Sequence, residues 1–365
     1  MTQAVFSARL LKWFDRYGRH DLPWQHPRDA YRVWLSEIML QQTQVSTVIP
    51  FFERFLNRFP DVHALAKAHT DEVLALWAGL GYYARARNLH KCAQILVEQY
   101  QGEFPHDIDA LIELPGIGRS TAGAILSQAF GERHAILDGN VRRVLARYAA
   151  IEGWPGEPSV QKKLWALSEK LLPHERLADY TQAIMDMGAT VCTSRKPACG
   201  ICPMLEDCSA KQQGKVSALP ASKPKRAHPL KRSWLLLIEN AEGEVFCERR
   251  PPAGIWGGLW CPPMSPEQQD WTALCADQYG FKVTQANPLP VVKHSFTHFD
   301  LEIMPLRLRM VGNSSRNIRE ASDSVWVKIG FGKNPAVGLP APIRKILESP
   351  NLSLDQLQCP ESSPA

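Results

Sequence analysis

The chain has 365 residues, enough for about two domains that each bury a core. A composition of 45% hydrophobic and 22% charged residues excludes disordered and coiled-coil classes. No run reaches the ~18 apolar residues of a membrane span, and the start MTQAVFSARLLKWFDR lacks a secretory core, so a soluble, cytoplasmic protein with reduced cysteines is expected.

Apolar spacing of three and four predicts helices over 31–49, 51–59, 71–78, 85–100, 120–130, 140–150, 160–172 and 178–190, with Gly and Pro between them. The charge is local: residues 1–210 carry 23 cations and 23 anions, residues 211–232 seven cations and no acid, and 233–365 sum to −2. The cationic stretch holds Pro, Ser and Ala and reads as an exposed linker, more often a solvated tether than a binding element. Beyond it the pattern turns to short β-type runs at Trp234–Glu239, Val245–Arg249, His294–Phe299, Leu301–Met310 and Ser324–Ile329. Expected, then, are a helical domain (1–210), a linker (211–232), a smaller α+β domain (233–346) and a Ser/Pro-containing tail (347–365).

Four cysteines, Cys192, Cys199, Cys202 and Cys208, follow a C-x6-C-x2-C-x5-C pattern. Four thiolates this close can close a site around a soft metal. Zinc usually draws on pairs two to four residues apart, which only Cys199 and Cys202 form, whereas the uneven spacing suits the corners of a [4Fe–4S] cubane. Zinc stays open on the spacing alone. Cys92, Cys247, Cys261, Cys275 and Cys359 are scattered and read as packing or surface residues.

Leu114-Pro115-Gly116-Ile117-Gly118-Arg119-Ser120 precedes a small-residue helix. Its glycines allow a turn whose N–H groups converge on a helix N-terminus, a nest for phosphate, although a plain helical corner would use the same residues. Asp138-Gly139-Asn140 opens the next helix. An ordinary N-cap is the simplest account, and the same N–H groups would favour Asp138 as an anion. Glu37, Gln41 and Gln44 form a narrow polar stripe beside Trp34 and Ile38. A solvated face is the usual cause of such a stripe, yet a carboxyl crowded by apolar side chains would hold a proton near neutrality. One carboxyl kept acidic and one kept anionic is the pairing that glycosidic cleavage needs.

These residues, with Trp34–Gln44, Gly79–Asn88, Leu114–Gly123 and Leu137–Val141, resemble the helix-hairpin-helix DNA glycosylases with an iron–sulfur loop, and most specifically the MutY family of adenine DNA glycosylases. The resemblance covers about residues 5–346. It implies an all-α helix-hairpin-helix glycosylase domain with a [4Fe–4S] loop, followed by an α+β Nudix-like domain. It also implies a monomer acting on double-stranded DNA that contains A opposite 8-oxoguanine or G, without membrane contact.

By the resemblance, Glu37 protonates adenine, Asp138 stabilises the oxocarbenium-like sugar and Asn140 supports that anion. Gln42 and Tyr82 prop the opened stack, while Gly116 and Gly118 hold phosphate. Ser120 stands where related strand-cleaving enzymes have a catalytic lysine, which implies a glycosylase that stops at the abasic site. Phe296, Thr297 and His298 match the loop that reads 8-oxoguanine, with Thr in place of the frequent Ser. The acidic box of a Nudix hydrolase is missing after Trp260, so this half should bind rather than hydrolyse. Competing readings are a glycosylase for another base, a non-catalytic iron–sulfur DNA-binding protein and a Nudix hydrolase with a helical appendage.

Overall fold

The computed structural model describes residues 3–224, 228–251, 254–284, 286–296, 298–311, 323–330 and 337–349. The helices of the first half are α1 (Gln3–Tyr17), α2 (Ala30–Leu40), α3 (Val45–Arg58), α4 (Val62–Lys67), α5 (Thr70–Trp77), α6 (Ala84–Tyr100), α7 (Ile108–Glu113), α8 (Arg119–Ala129), α9 (Gly139–Tyr148), α10 (Pro158–Leu171), α11 (Leu177–Asp186) and α12 (Ser209–Gln212). Aspartates start four of them. Asp29, Asp61, Asp107 and Asp138 each accept a hydrogen bond from a first-turn N–H, which satisfies donors that no helical carbonyl reaches.

The chain forms two compact units, Met1–Ala68 with Arg87–Lys225, and His69–Ala86 with Arg226–Ala365. In the first, Phe6, Leu10 and Phe14 of α1 pack with Val141 and Leu145 of α9 and Ile184 of α11. Helix α8 lies against α2 and α11. Its small residues permit that: a Cβ on Gly123 would stand 2.4 Å from the Ala135 carbonyl oxygen, so only glycine fits there.

The second unit is built on β1 (Leu230–Glu239), β2 (Glu244–Arg249), β3 (Trp260–Cys261), β4 (Met264–Ser265), α13 (Trp271–Tyr279), β5 (Asn287–Pro288), β6 (Val292–Ser295), β7 (Asp300–Arg309), β8 (Ser324–Lys328) and α14 (Ala341–Leu347). The strands run β3-β2-β1-β7-β5, with β4 on β1, β6 on β7 and β8 on β2, and β1 and β7 are parallel. Alternate side chains of β1 serve two cores, Leu235 and Leu237 facing α14, and Leu236 and Ile238 facing α13.

Several expectations need revision. The continuous helix expected over 31–49 breaks after Leu40: Gln42 takes a left-handed φ of 59° and α3 starts at Val45. Gln41 and Gln44 are therefore caps rather than turns of one helix, and Gln42 has no place on a helical face. Helices α1, α4 and α7 lay outside the expected spans. Residues 69–86, read with the helical half, pack in the second unit. Arg249 makes a two-pronged ion pair with Asp71 at 2.8 and 2.6 Å, and Tyr83 Oη donates to the Leu339 carbonyl at 3.1 Å. The basic stretch is not a free tether from its start, since α12 runs to Gln212 and Leu219 is buried. Likewise Leu347, placed at the start of the tail, is buried at the end of α14. Residues 225–227 of the linker, 350–365 of the tail and Cys359 lie outside the described residues.

Candidate active site

The first unit encloses a cavity of about 890 Å³. Helix α2 supplies Glu37, the broken turn Gln41–Gln44, α8 Ser120, the segment entering α9 Leu137–Asn140, and α11 Gln182. The helix break is what brings the turn to the cavity, because a straight helix through Gln44 would carry those amides past it. Ser120 Oγ accepts the Leu137 N–H at 2.9 Å and so fastens the extended stretch that ends in Asp138.

Glu37 and Asp138 face this cavity together. Burial, reinforced by the neighbouring Asp138 charge, pushes the Glu37 carboxyl up to about 8, and no hydrogen bond to it exists among the described residues. The shift runs in the direction that crowding by apolar neighbours predicts. Asp138 departs from its expectation. Its Oδ1 accepts the Val141 N–H at 2.7 Å as the N-cap of α9, but burial outweighs the helix terminus and the net shift is upward. Val141, Asn140 and Arg143 all act against that shift and favour its charged form.

A chain of polar contacts runs from Asp138 along α9. Asn140 Nδ2 donates to Asp138 Oδ2 at 3.3 Å, and Arg143 donates to Asn140 Oδ1 at 2.7 Å. The same guanidinium donates to the carbonyls of Gly188 and Cys192, each at 2.7 Å. Gly188 must be glycine, since a Cβ there would meet the Asn140 Cβ at 2.6 Å. One turn on, buried Arg147 donates to the carbonyls of Thr193, Ser194 and Leu219 and lies 3.4 Å from Cys192 Sγ. It anchors the cysteine loop to α9.

Cys192, Cys199, Cys202 and Cys208 line one cavity with Arg147. Among the described residues no group of three or more His, Cys, Asp or Glu is placed to hold a single metal ion. Four thiols lining one cavity are a donor set that suits the [4Fe–4S] cubane expected from their spacing. Burial raises the Cys202 thiol to about 11 and also raises Cys208, so these sulfurs ionise when a metal charge meets them.

Comparison with known proteins agrees with this geometry. Residues 35–170 match the HhH-GPD superfamily base excision DNA repair protein model, residues 192–208 the iron–sulfur binding domain of endonuclease III, and residues 234–349 the NUDIX domain. The chain is 39% identical to the adenine DNA glycosylase of Buchnera aphidicola (from Acyrthosiphon pisum), over 96% of this chain and 98% of that one. It is 35% identical to the human adenine DNA glycosylase, over 85% of this chain and 68% of that one. The chain belongs to the adenine DNA glycosylase family.

It is a DNA glycosylase that removes adenine in base-excision repair and carries a [4Fe–4S] cluster in its cysteine loop. The non-catalytic and Nudix-hydrolase readings fall away. Among solved structures, a thermostable thymine-DNA glycosylase matches with a TM-score of 0.51 and 30% identity, over 58% of this chain and 97% of that one. A non-covalent endonuclease III–DNA complex matches at 0.50 and 25%, over 59% and 98%. No helix among the described residues is long and apolar enough to cross a membrane.

The remaining sequence-derived candidates of this glycosylase fall in three places. Gln42 is exposed at the cavity rim, and its positive φ projects it from the turn. The hairpin between α7 and α8 has Gly116 at φ 82°, where a Cβ would crowd Asn88 at 3.0 Å. Gly118 caps α8 with no side chain over its first-turn N–H groups, which leaves them open to an anion. In the second unit Tyr82 is 51% exposed on a loop at φ 49°, with Arg85 against its ring.

Phe296 and Phe299 stack with ring centres 4.6 Å apart, and the Phe296 N–H donates to the Phe299 carbonyl at 2.8 Å. His298 is exposed to solvent. Thr297 lies outside the described residues. Of the acids after Trp260, Asp270 caps α13, accepting the Thr272 and Ala273 N–H groups.

Sequence reasoning missed Arg19, Gln182 and Asp186. Fully buried Asp186 accepts from Arg19 N, Nε and Nη2 and from Gln182 Nε2, which holds Arg19 and Gln182 at the cavity wall. The available signal was an aspartate amid the apolar residues of α11, a position that costs stability unless the charge is paired.

Proposed function

We propose that this enzyme extrudes adenine paired with 8-oxoguanine or G from double-stranded DNA and hydrolyses its N-glycosidic bond, with Glu37 as general acid and Asp138 as the anion beside the sugar. The observation that carries this is the pairing of the two carboxyls on one cavity, one raised to about 8 without hydrogen-bond donors and one surrounded by them.

Glu37 gives its proton to the adenine ring, the C1′–N9 bond breaks with its electron pair leaving on the base, and Asp138 stabilises the cationic sugar. Water then adds to C1′ and returns a proton to Glu37. Asn140 holds Asp138 in place. The reaction stops at an abasic site, since Ser120 cannot form a Schiff base and no lysine lines the cavity among the described residues.

Gln42 and Tyr82 would fill the opened stack, and the Gly116–Gly118 hairpin and Ser120 would meet the strand. Phe296, Thr297 and His298 would read 8-oxoguanine. In this reading the enzyme is a monomer in the compartment that holds the DNA, with the domain limits given by the sequence, apart from residues 69–86 and the linker and tail limits revised above. The test is a single-turnover assay on an end-labelled duplex with A opposite 8-oxoguanine, with and without hot alkali. Cleavage at the adenine only after alkali supports the proposal. Cleavage without alkali would show strand-cleaving chemistry instead, and none under either treatment would refute it.

A further inference from the structure

Three arginines line the active-site cavity, and two of them are fully committed. Arg19 is neutralised by buried Asp186, and Arg143 donates to Asn140 and to the carbonyls of Gly188 and Cys192. Arg142 is different. Its side chain has no hydrogen bond or ion pair among the described residues, and its Nε is buried without a partner. It sits in the first turn of α9, four residues after Asp138, whose carbonyl accepts its backbone N–H at 2.9 Å.

An uncommitted guanidinium here works against the proposed chemistry. The reacting sugar becomes cationic, and a bare positive charge on the same cavity wall raises the energy of that state. Asp138 is already engaged by the Val141 N–H, Asn140 and Arg143, and Glu37 carries its proton. The described residues thus supply no anion for Arg142. The substrate does, because an extruded nucleotide is flanked by two phosphodiesters, and a guanidinium matches phosphate oxygens with paired N–H donors.

We propose that Arg142 binds one of the two phosphodiesters flanking the extruded nucleotide, so that the charge opposing the sugar cation is cancelled only when substrate is seated. The inference rests on the adenine-extrusion reading above. Arg142 then acts twice, holding the extruded backbone and withholding the neutral wall from DNA that has not been opened.

The test uses the holoenzyme and a duplex with A opposite 8-oxoguanine whose adenine nucleotide carries a 2′-fluorine, which destabilises the sugar cation and blocks cleavage. Either flanking linkage is replaced in turn by an uncharged methylphosphonate. For the wild type, one replacement should weaken binding about tenfold. Arg142→Gln should bind the all-phosphate duplex about tenfold more weakly, with a salt slope lower by about one, and should lose nothing more from that methylphosphonate.

Arg142→Lys keeps the charge without the fork, so it should retain the salt slope and part of the methylphosphonate effect. Cluster absorbance reports whether each variant is folded. Equal methylphosphonate penalties in wild type and Arg142→Gln at both linkages, or a wild type indifferent to both, would overturn the proposal. Those outcomes stay distinct from failure of the underlying reading, which would appear as a wild type unable to release adenine from the unfluorinated duplex.

Discussion

The Glu37 carboxyl offers the sharpest quantitative check. With its value raised from 4.5 to about 8, about 90% of the side chain is protonated at pH 7, against roughly 0.3% for an ordinary glutamate, a gain of about 300-fold in available acid. The sign is that of a required acid: single-turnover excision should hold level below about pH 7 and fall about tenfold for each unit above pH 8. Folding stability must change in the same window. A carboxyl whose folded value lies above its unfolded one adds stability that is complete below pH 4.5 and is lost as pH rises through about 8. The slope is at most ~1.4 kcal/mol per pH unit, and less here because Glu37 fronts a cavity that water enters. Glu37→Gln removes both effects. It should abolish excision, keep duplex binding, and gain stability relative to wild type as pH rises from 5 to 8. Denaturant titrations of the two proteins across that range, set beside the wild-type rate profile, test the argument. Parallel stability curves together with a rate that stays level to pH 9 would refute it.

Three further outcomes follow from the contacts. Gly188→Ala drives a methyl into Asn140 and should cut the excision rate at least tenfold while duplex affinity, read by anisotropy, changes little. Arg147→Met strips the donors from three loop carbonyls, which should cost about 2–4 kcal/mol and speed cluster loss, seen as fading visible absorbance on mild heating. His298→Ala should lower the preference for 8-oxoguanine over G opposite the adenine several-fold with little effect on the rate for A·G, measured by paired single-turnover assays; equal losses on both duplexes would make the turn structural.

Local chemistry made much of this molecule legible. The cysteine spacing, the two glycines of the hairpin and the Asp138 cap are short-range features, fixed by residues within a turn or two of each other. The α9 cap was readable because capping needs only the aspartate and the N–H groups just after it. What escaped was set at long range. The break after Leu40 has no Gly or Pro to announce it, since Gln42 adopts its left-handed φ in a Gln-Gln-Thr-Gln run that periodicity reads straight through. The placement of residues 69–86 depends on Asp71 meeting Arg249 across 178 positions, which no window of the sequence contains. Arg19 and Asp186, 167 residues apart, escaped for the same reason.

The division of labour between the two carboxyls also rests on something the helical wheel could not show. Crowding by Trp34 and Ile38 was expected to separate Glu37 from Asp138, yet burial raises both. What distinguishes them is donors. Asp138 receives the Val141 N–H and the Asn140 amide, with Arg143 close by, whereas among the described residues Glu37 receives none. When two carboxyls share a cavity and the Asp138 charge raises Glu37, the first proton settles where ionisation is least supported, which here is Glu37. In the proposed mechanism the acid is therefore defined by what surrounds its partner. Weakening the donors on Asp138, through Asn140 or Arg143, would move the proton off Glu37 without touching Glu37 at all.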